Sequence, residues 1–123
     1  MEDSREAGMR VRREVLGDAH VDRATAAAGE LGADFQDWIT GCAWGEVWSR
    51  PGLDRRTRSC ITVAMLAALG CEDELALHLG AARGNGVSSA ELAEVLLQVA
   101  VYAGAPRANR AFAVAREALG DAG

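Results

Sequence analysis

"DRRTRSCITVAMLAALGCEDELALHLGAARGNG", Asp54 to Gly86, is the stretch whose reading decides the fold. Asp54 is an N-cap by residue type, and the run "RRTRSCITVAMLAALG" after it keeps helical spacing as far as Gly70. The C-terminal half of that run is apolar nearly all round, so the helix is expected buried in the middle of a bundle. Glu72 and Asp73 fall where carboxylates favour the positive start of a helix, and this next helix runs to Ala82 or Arg83. "GNG", Gly84 to Gly86, closes it with residues that tolerate left-handed geometry.

Outward from this pair the chain stays helical. Downstream, Ser88 followed by Glu91 is a capping-box signature, and Leu92, Val95, Leu96, Val99 and Tyr102 or Ala103 repeat at helical spacing. Gly104 stops that helix, and Pro106 suits the first turn of a last one ending near Leu119. Upstream, one helix is expected from Arg5 to Leu16, stopping at Gly17-Asp18, and a second from Val21 to Leu31, ending near Gly32. A third runs from Ala33 to about Val47, with Phe35, Trp38, Ile39, Cys42 and Val47 on or near one face. "SRPG", Ser49 to Gly52, breaks it. With prolines only at 51 and 106 and no alternating β-branched run, the expectation is all-α. The fold predicted is a bundle of about six helices with short, antiparallel-favouring connections. One domain spans residues 1–123, with 1–7 and 120–123 as loose ends.

Half of the 123 residues are apolar and a quarter charged, enough for a packed core. A domain this small leaves much surface exposed, and self-association would finish burying it. The net charge of −5 argues against a nucleic-acid partner. Cys42, Cys60 and Cys71 are odd in number and lack framework spacing, which points to a reducing, cytoplasmic setting. No apolar run reaches about 20 residues, so no membrane-spanning helix is expected, and the polar N-terminus lacks a signal-peptide core.

Candidate chemistry gathers in three places. In "CEDELALH", Glu74 and His78 are i and i+4 on one helix face, and a carboxylate beside an imidazole can orient it for acid–base work. An ordinary exposed helical pair has the same spacing. Cys71 lies three residues before Glu74, but a dithiol would need a second Cys at 74, and a metal site would need a further ligand that no second cluster supplies. In "CAWGEVWSRPGLDRRTR", Trp44 and Trp48 are i and i+4 with Glu46 between them. They are either a core or subunit-interface patch, or the apolar wall of a pocket in which Glu46 is partly desolvated. Arg50, Arg55, Arg56 and Arg58 could hold carboxylates or phosphates, and so many cations in a first helical turn oppose the helix dipole. His20 stands alone in "GDAHVD", a loop by this reading. Hydrolase elbows, phosphate-binding glycine loops and HExxH are absent.

Three runs together resemble a known family: "GMRVRREVLGDAHVDRA", "DFQDWITGCAWGEVWSRPGLDRRTRS" and "ELALHLGAARGNGVSSAELAEVLLQVAVYAGAPRANRAFAVA". They are similar to the gamma-carboxymuconolactone decarboxylases over residues 8 to 118, with "WGEVWSRPGLDRRTRS" and "VAVYAGAPRANRAF" the most specific blocks. The resemblance implies an alkylhydroperoxidase-D-like helical bundle in a ring-like homo-oligomer, a trimer or hexamer. It implies conversion of 4-carboxymuconolactone, a lactone dicarboxylate, to 3-oxoadipate enol-lactone and CO2 in the protocatechuate branch of the β-ketoadipate pathway. No cofactor or metal is implied.

His78 matches the family's helix histidine, with the role of oxyanion or proton donor. Glu74 would orient it, Glu46 and His20 are further acid–base candidates, Arg50 and Arg58 would hold carboxylates, and Trp44 and Trp48 would form the apolar wall. Two departures stand out. Gly80 occupies a position where family members often carry Arg ("HLRAA", "HVRGA"), and Cys71 a position that is commonly polar or charged. The dithiol relatives carry Cys at both the 71 and 74 positions, whereas this chain has Glu74. The alternatives are therefore the same fold acting on another lactone or carboxylic acid, and a thiol-linked peroxide-defence relative.

Overall fold

A computed structural model describes residues 2–120. All regular structure among them is helical: α1 (Ser4–Leu16), α2 (Asp18–Ile39), a π-helix (Thr40–Trp48), α3 (Arg55–Leu69), α4 (Glu72–Gly84), α5 (Ser89–Ala103) and α6 (Ala105–Leu119). By internal contacts the chain divides between Leu53 and Asp54 into two compact units.

In the first unit, Asp3 caps α1 by accepting the Glu6 N–H at 2.8 Å, so the helix begins inside the stretch expected to be loose. Met1 and residues 121–123 lie outside the described residues. α1 stops at Gly17, as its sequence dictates. The break expected at Gly32 falls three residues earlier, at Gly29, whose φ of 57° and ψ of −161° are non-helical and divide α2 at a kink. Only glycine reaches that region without strain. At Thr40 the α-helix widens into a π-helix, a form found mostly in short, functionally placed segments.

α1 lies closely against this π-helix. A Cβ at Gly8 would collide with the Thr40 carbonyl, and one at Gly45 with the Ser4 carbonyl. The apolar core here is small, chiefly Val11, Val15, Val21 and Trp44.

The second unit holds the larger core. Val63 and Ala67 of α3, Leu75 and Leu79 of α4, Leu92 and Leu96 of α5 and Ala111 of α6 form one buried cluster. Each fully buried Leu contributes about 1.5–3 kcal/mol of transfer free energy. Local signals set the elements. Asp54 accepts the Thr57 N–H at 2.7 Å, which holds its carboxyl below the usual carboxylate range. Ser88 and Glu91 form a reciprocal capping box, and Pro106 sits in the first turn of α6.

Gly70 ends α3 at φ 74°, and the Cys71 N–H bonds the Leu66 carbonyl at 3.0 Å in a Schellman closure. The guanidinium of Arg107 in α6 occupies the space where a side chain at position 70 would go. A hydrogen bond from Asn85 Nδ2 to Ser59 Oγ (2.9 Å) joins the end of α4 to α3, and Ser59 is fully buried.

Two expectations fail in detail. α3, which packs against α4, α5 and α6, is not buried all round. It leaves Ile61, Met65 and Leu69 exposed, at i, i+4 and i+8. On α5 the buried ladder ends at Val99, and Tyr102 is exposed.

Candidate functional site

In the second unit, His78 sits on the face of α4 that also carries Leu75, Leu79 and Ala82, and it is 8% exposed. Its i, i+3, i+4 spacing with those apolar residues puts it among the core-facing side chains. Glu74, one turn before it, is exposed, so the two carry the same helix phase but differ sharply in access to water. Arg58 is partly buried in the first turns of α3, and its N–H bonds the Asp54 carbonyl at 3.0 Å.

The cation run is less frustrated than its sequence suggests. Asp54 caps the helix, and Arg56 pairs with Glu91, the capping-box acid of α5. Cys71 is exposed at the N-cap position of α4, while Cys42 and Cys60 are partly buried and all three are free thiols. Among the described residues, no three His, Cys, Asp or Glu side chains gather in a set that could hold a metal ion. No described helix is long and apolar enough to cross a membrane.

The first unit holds the aromatic half of the candidates. Trp44 and Trp48 stack with ring centroids 4.9 Å apart and planes 25° from parallel. Trp44 is buried and Trp48 half-buried. The third tryptophan, Trp38, stands apart from this stack, 60% exposed and tilted against Phe35 at 6.2 Å.

Glu46 is exposed on the π-helix rather than desolvated at the lip of an aromatic pocket, which corrects that part of the sequence reading. The Ser4 hydroxyl donates to it at 3.4 Å. Arg50 is exposed just beyond the π-helix, its N–H on the Val47 carbonyl. His20 is not in a loop: α2 begins at Asp18, so the imidazole lies half-buried in its first turn.

Sequence reading missed a buried polar pair in this unit. Arg12 is 6% exposed, and its Nη1 donates to Thr40 Oγ1 at 3.2 Å. A signal was present. Gly8, Val11, Arg12 and Val15 follow the i, i+3, i+4, i+7 pattern of a buried face, with an arginine in one of its slots.

Comparison with known proteins places these elements. The model of the "Carboxymuconolactone decarboxylase family" matches residues 33–117, which takes in the π-helix, Arg50, Arg58, Glu74 and His78 but not Arg12 or His20. The 4-carboxymuconolactone decarboxylase of Acinetobacter baylyi is 51% identical over 94% of this chain and 87% of its own length. The nitrosuccinic acid decarboxylase npaB of Metarhizium robertsii is 40% identical over 93% of this chain and 80% of its own. A 4-carboxymuconolactone decarboxylase of Pseudomonas putida is 51% identical over 33% of this chain and 85% of its own. On a match that runs from α2 to the last turns of α6, the chain belongs to the carboxymuconolactone decarboxylase family.

Proposed function

We propose that this protein is a carboxy-lyase that decarboxylates 4-carboxymuconolactone to 3-oxoadipate enol-lactone, without a cofactor, in protocatechuate catabolism. The observation that carries the reading is the 51% identity to the Acinetobacter baylyi enzyme across nearly the whole chain. The chemistry asks for specific groups. When the ring carboxylate leaves as CO2, its bonding pair moves through the ring alkene onto the lactone carbonyl, giving a dienolate that must then take a proton on carbon. A donor at the developing oxyanion is worth about 10²–10³ in kcat, and an acid is needed to return the proton.

His78, shielded from water among apolar side chains, takes the role of oxyanion or proton donor, with Glu74 orienting it. Glu46 and His20 are the further acid–base candidates. Arg50 and Arg58 hold substrate carboxylates bidentately, and the stacked Trp44 and Trp48 supply an apolar wall that leaves the departing carboxylate poorly solvated.

We infer further that the protein works as a ring-like homo-oligomer, a trimer or hexamer, in the cytoplasm, with no nucleic-acid or membrane partner. The exposed apolar row Ile61, Met65 and Leu69 supports self-association, and light scattering on the purified protein reads its outcome.

The direct test follows the absorbance of 4-carboxymuconolactone with purified protein, with and without EDTA and a thiol-blocking reagent. Turnover that survives both supports the decarboxylase. Peroxide reduction lost on thiol blocking, with no lactone turnover, would replace it with the thiol-linked reading.

A second substrate reading rests on Gly80 and on the relative named for nitrosuccinic acid. A nitro group beside the departing carboxylate accepts the electron pair as a nitronate, as the unsaturated lactone accepts it as a dienolate. Comparing kcat/KM for the lactone and for nitrosuccinate decides between them.

A further inference from the structure

α1 grips the π-helix at both ends of its first half. At the start, the buried Arg12 guanidinium donates to Thr40 Oγ1, and Thr40 Oγ1 in turn donates to the Gln36 carbonyl at 2.7 Å. That carbonyl belongs to the last turn of α2, where the helix is about to widen. Further along, Gly8 and Gly45 bring the two backbones together, and Ser4 reaches Glu46. The contacts run in opposite chain directions, residue 12 with 40 and residue 4 with 45 and 46, so one straight helix spans the widening.

We propose that the buried Arg12–Thr40 hydrogen bond is a positioning device for the proposed decarboxylation, fixing the register in which the π-helix presents Trp44, Glu46 and Trp48. Three observations and one general property carry this. Arg12 occupies an apolar slot of α1, and a guanidinium taken out of water is costly unless it is well bonded, so its presence there calls for a role that a Leu would not fill. Thr40 is 1% exposed and is the first residue of the π-helix. A π-helix is rare and is found mostly at functional sites, and the Arg12 contact falls where this one begins. Finally, a cavity of about 100 Å³ lined by Arg12, Gln36 and Thr40 lies beside the pair, so the Gly8 contact holds the Thr40 backbone while side-chain packing around the pair is incomplete. Arg12 and Thr40 are positioning residues and act through the side chains downstream.

The inference rests on the roles given above to Glu46 and the two tryptophans, and its test separates the two. Thr40→Val keeps the shape and removes the hydroxyl, and Thr40→Ser keeps the hydroxyl. Two readouts are taken: kcat and KM with 4-carboxymuconolactone, and the far-ultraviolet circular dichroism couplet expected from the stacked Trp44 and Trp48.

Thr40→Val is expected to lower kcat by about tenfold or more with KM within about twofold, the signature of misplaced groups, and to weaken the couplet. Thr40→Ser is expected to restore both. Thr40→Ala carries the same test if the valine variant does not fold. Unchanged kcat and couplet in the variants without the hydroxyl would overturn the proposal. So would an equal loss in Thr40→Ser. Glu46→Gln run in parallel tests the underlying reading: full activity there removes Glu46 from the chemistry, while the couplet still reports whether Thr40 sets the π-helix.

Discussion

Residues 54–120 and residues 2–53 are both helical, yet they are held together by different means. The first of these regions has a continuous apolar core in which Leu75, Leu79, Leu92 and Leu96 are each no more than 1% exposed. The second has only Val11, Val15, Val21 and Trp44 as its buried apolar groups, and it depends on backbone approach at Gly8 and Gly45 with the Arg12–Thr40 bond. The difference has a functional side. The apolar region buries its candidate, His78, whereas the glycine-packed region displays Glu46 on a helix of uncommon form. A deep core suits a group that must be kept from water, and a short π-helix suits a group that must be aimed.

The comparison can be broken in several ways. The largest expected effect is on chemistry in the apolar region: His78→Ala should lower kcat by about 10²–10⁴ with helical circular dichroism unchanged. Loss of the fold instead would make His78 a core residue first. Next comes Leu79→Ala, expected to cost about 2–5 kcal/mol in denaturant unfolding, because a fully buried side chain leaves a cavity.

In the glycine-packed region the reverse change is the informative one. Gly45→Ala should cost about 1–3 kcal/mol through collision with the Ser4 carbonyl. If it is neutral, the close approach is not what holds α1. Ser88→Ala, which opens the capping box of α5, should cost about 1 kcal/mol by the same unfolding measurement.

The smallest effect is electrostatic. The Arg110 guanidinium, at 2.6 Å, holds the partly exposed Glu72 carboxyl below its ordinary value. A depressed carboxylate adds stability above the unfolded-state pKa, and that contribution disappears as pH falls through the folded-state value. Glu72→Gln should therefore lower the thermal midpoint slightly at neutral pH and low salt, with the gap closing in acid.

Much of the fold was legible because its signals are local. Asp54, Gly70, the Ser88–Glu91 box and Pro106 each act within a turn of where they stand, and each ends or starts a helix as its type dictates. The misplaced break, Gly29 for Gly32, shows the limit of that reasoning, since two glycines three residues apart are equal by residue type. The π-helix was not legible, because its residues carry no local signal for it and the buried contact at its start comes from Arg12 in α1, some thirty residues earlier in the chain. For the candidate site, the spacing with Glu74 singled out His78, the resemblance gave it a role, and its burial follows from its phase with Leu75 and Leu79. The exposure of Glu46 does not follow from any periodic pattern, because the periodicity itself changes at Thr40.

The Gly70 turn carries a consequence for how the family's sequences can vary. Arg107 fills the space beside Gly70, and the turn itself needs a positive φ. A side chain at position 70 therefore meets two unequal obstacles: the exposed Arg107 can swing aside at little cost, whereas the positive φ stays. Asn, which accepts left-handed geometry, should be the replacement best tolerated at 70. In a library varied at both positions, this predicts that tolerance at 70 follows the backbone preference of the new residue and depends little on what stands at 107.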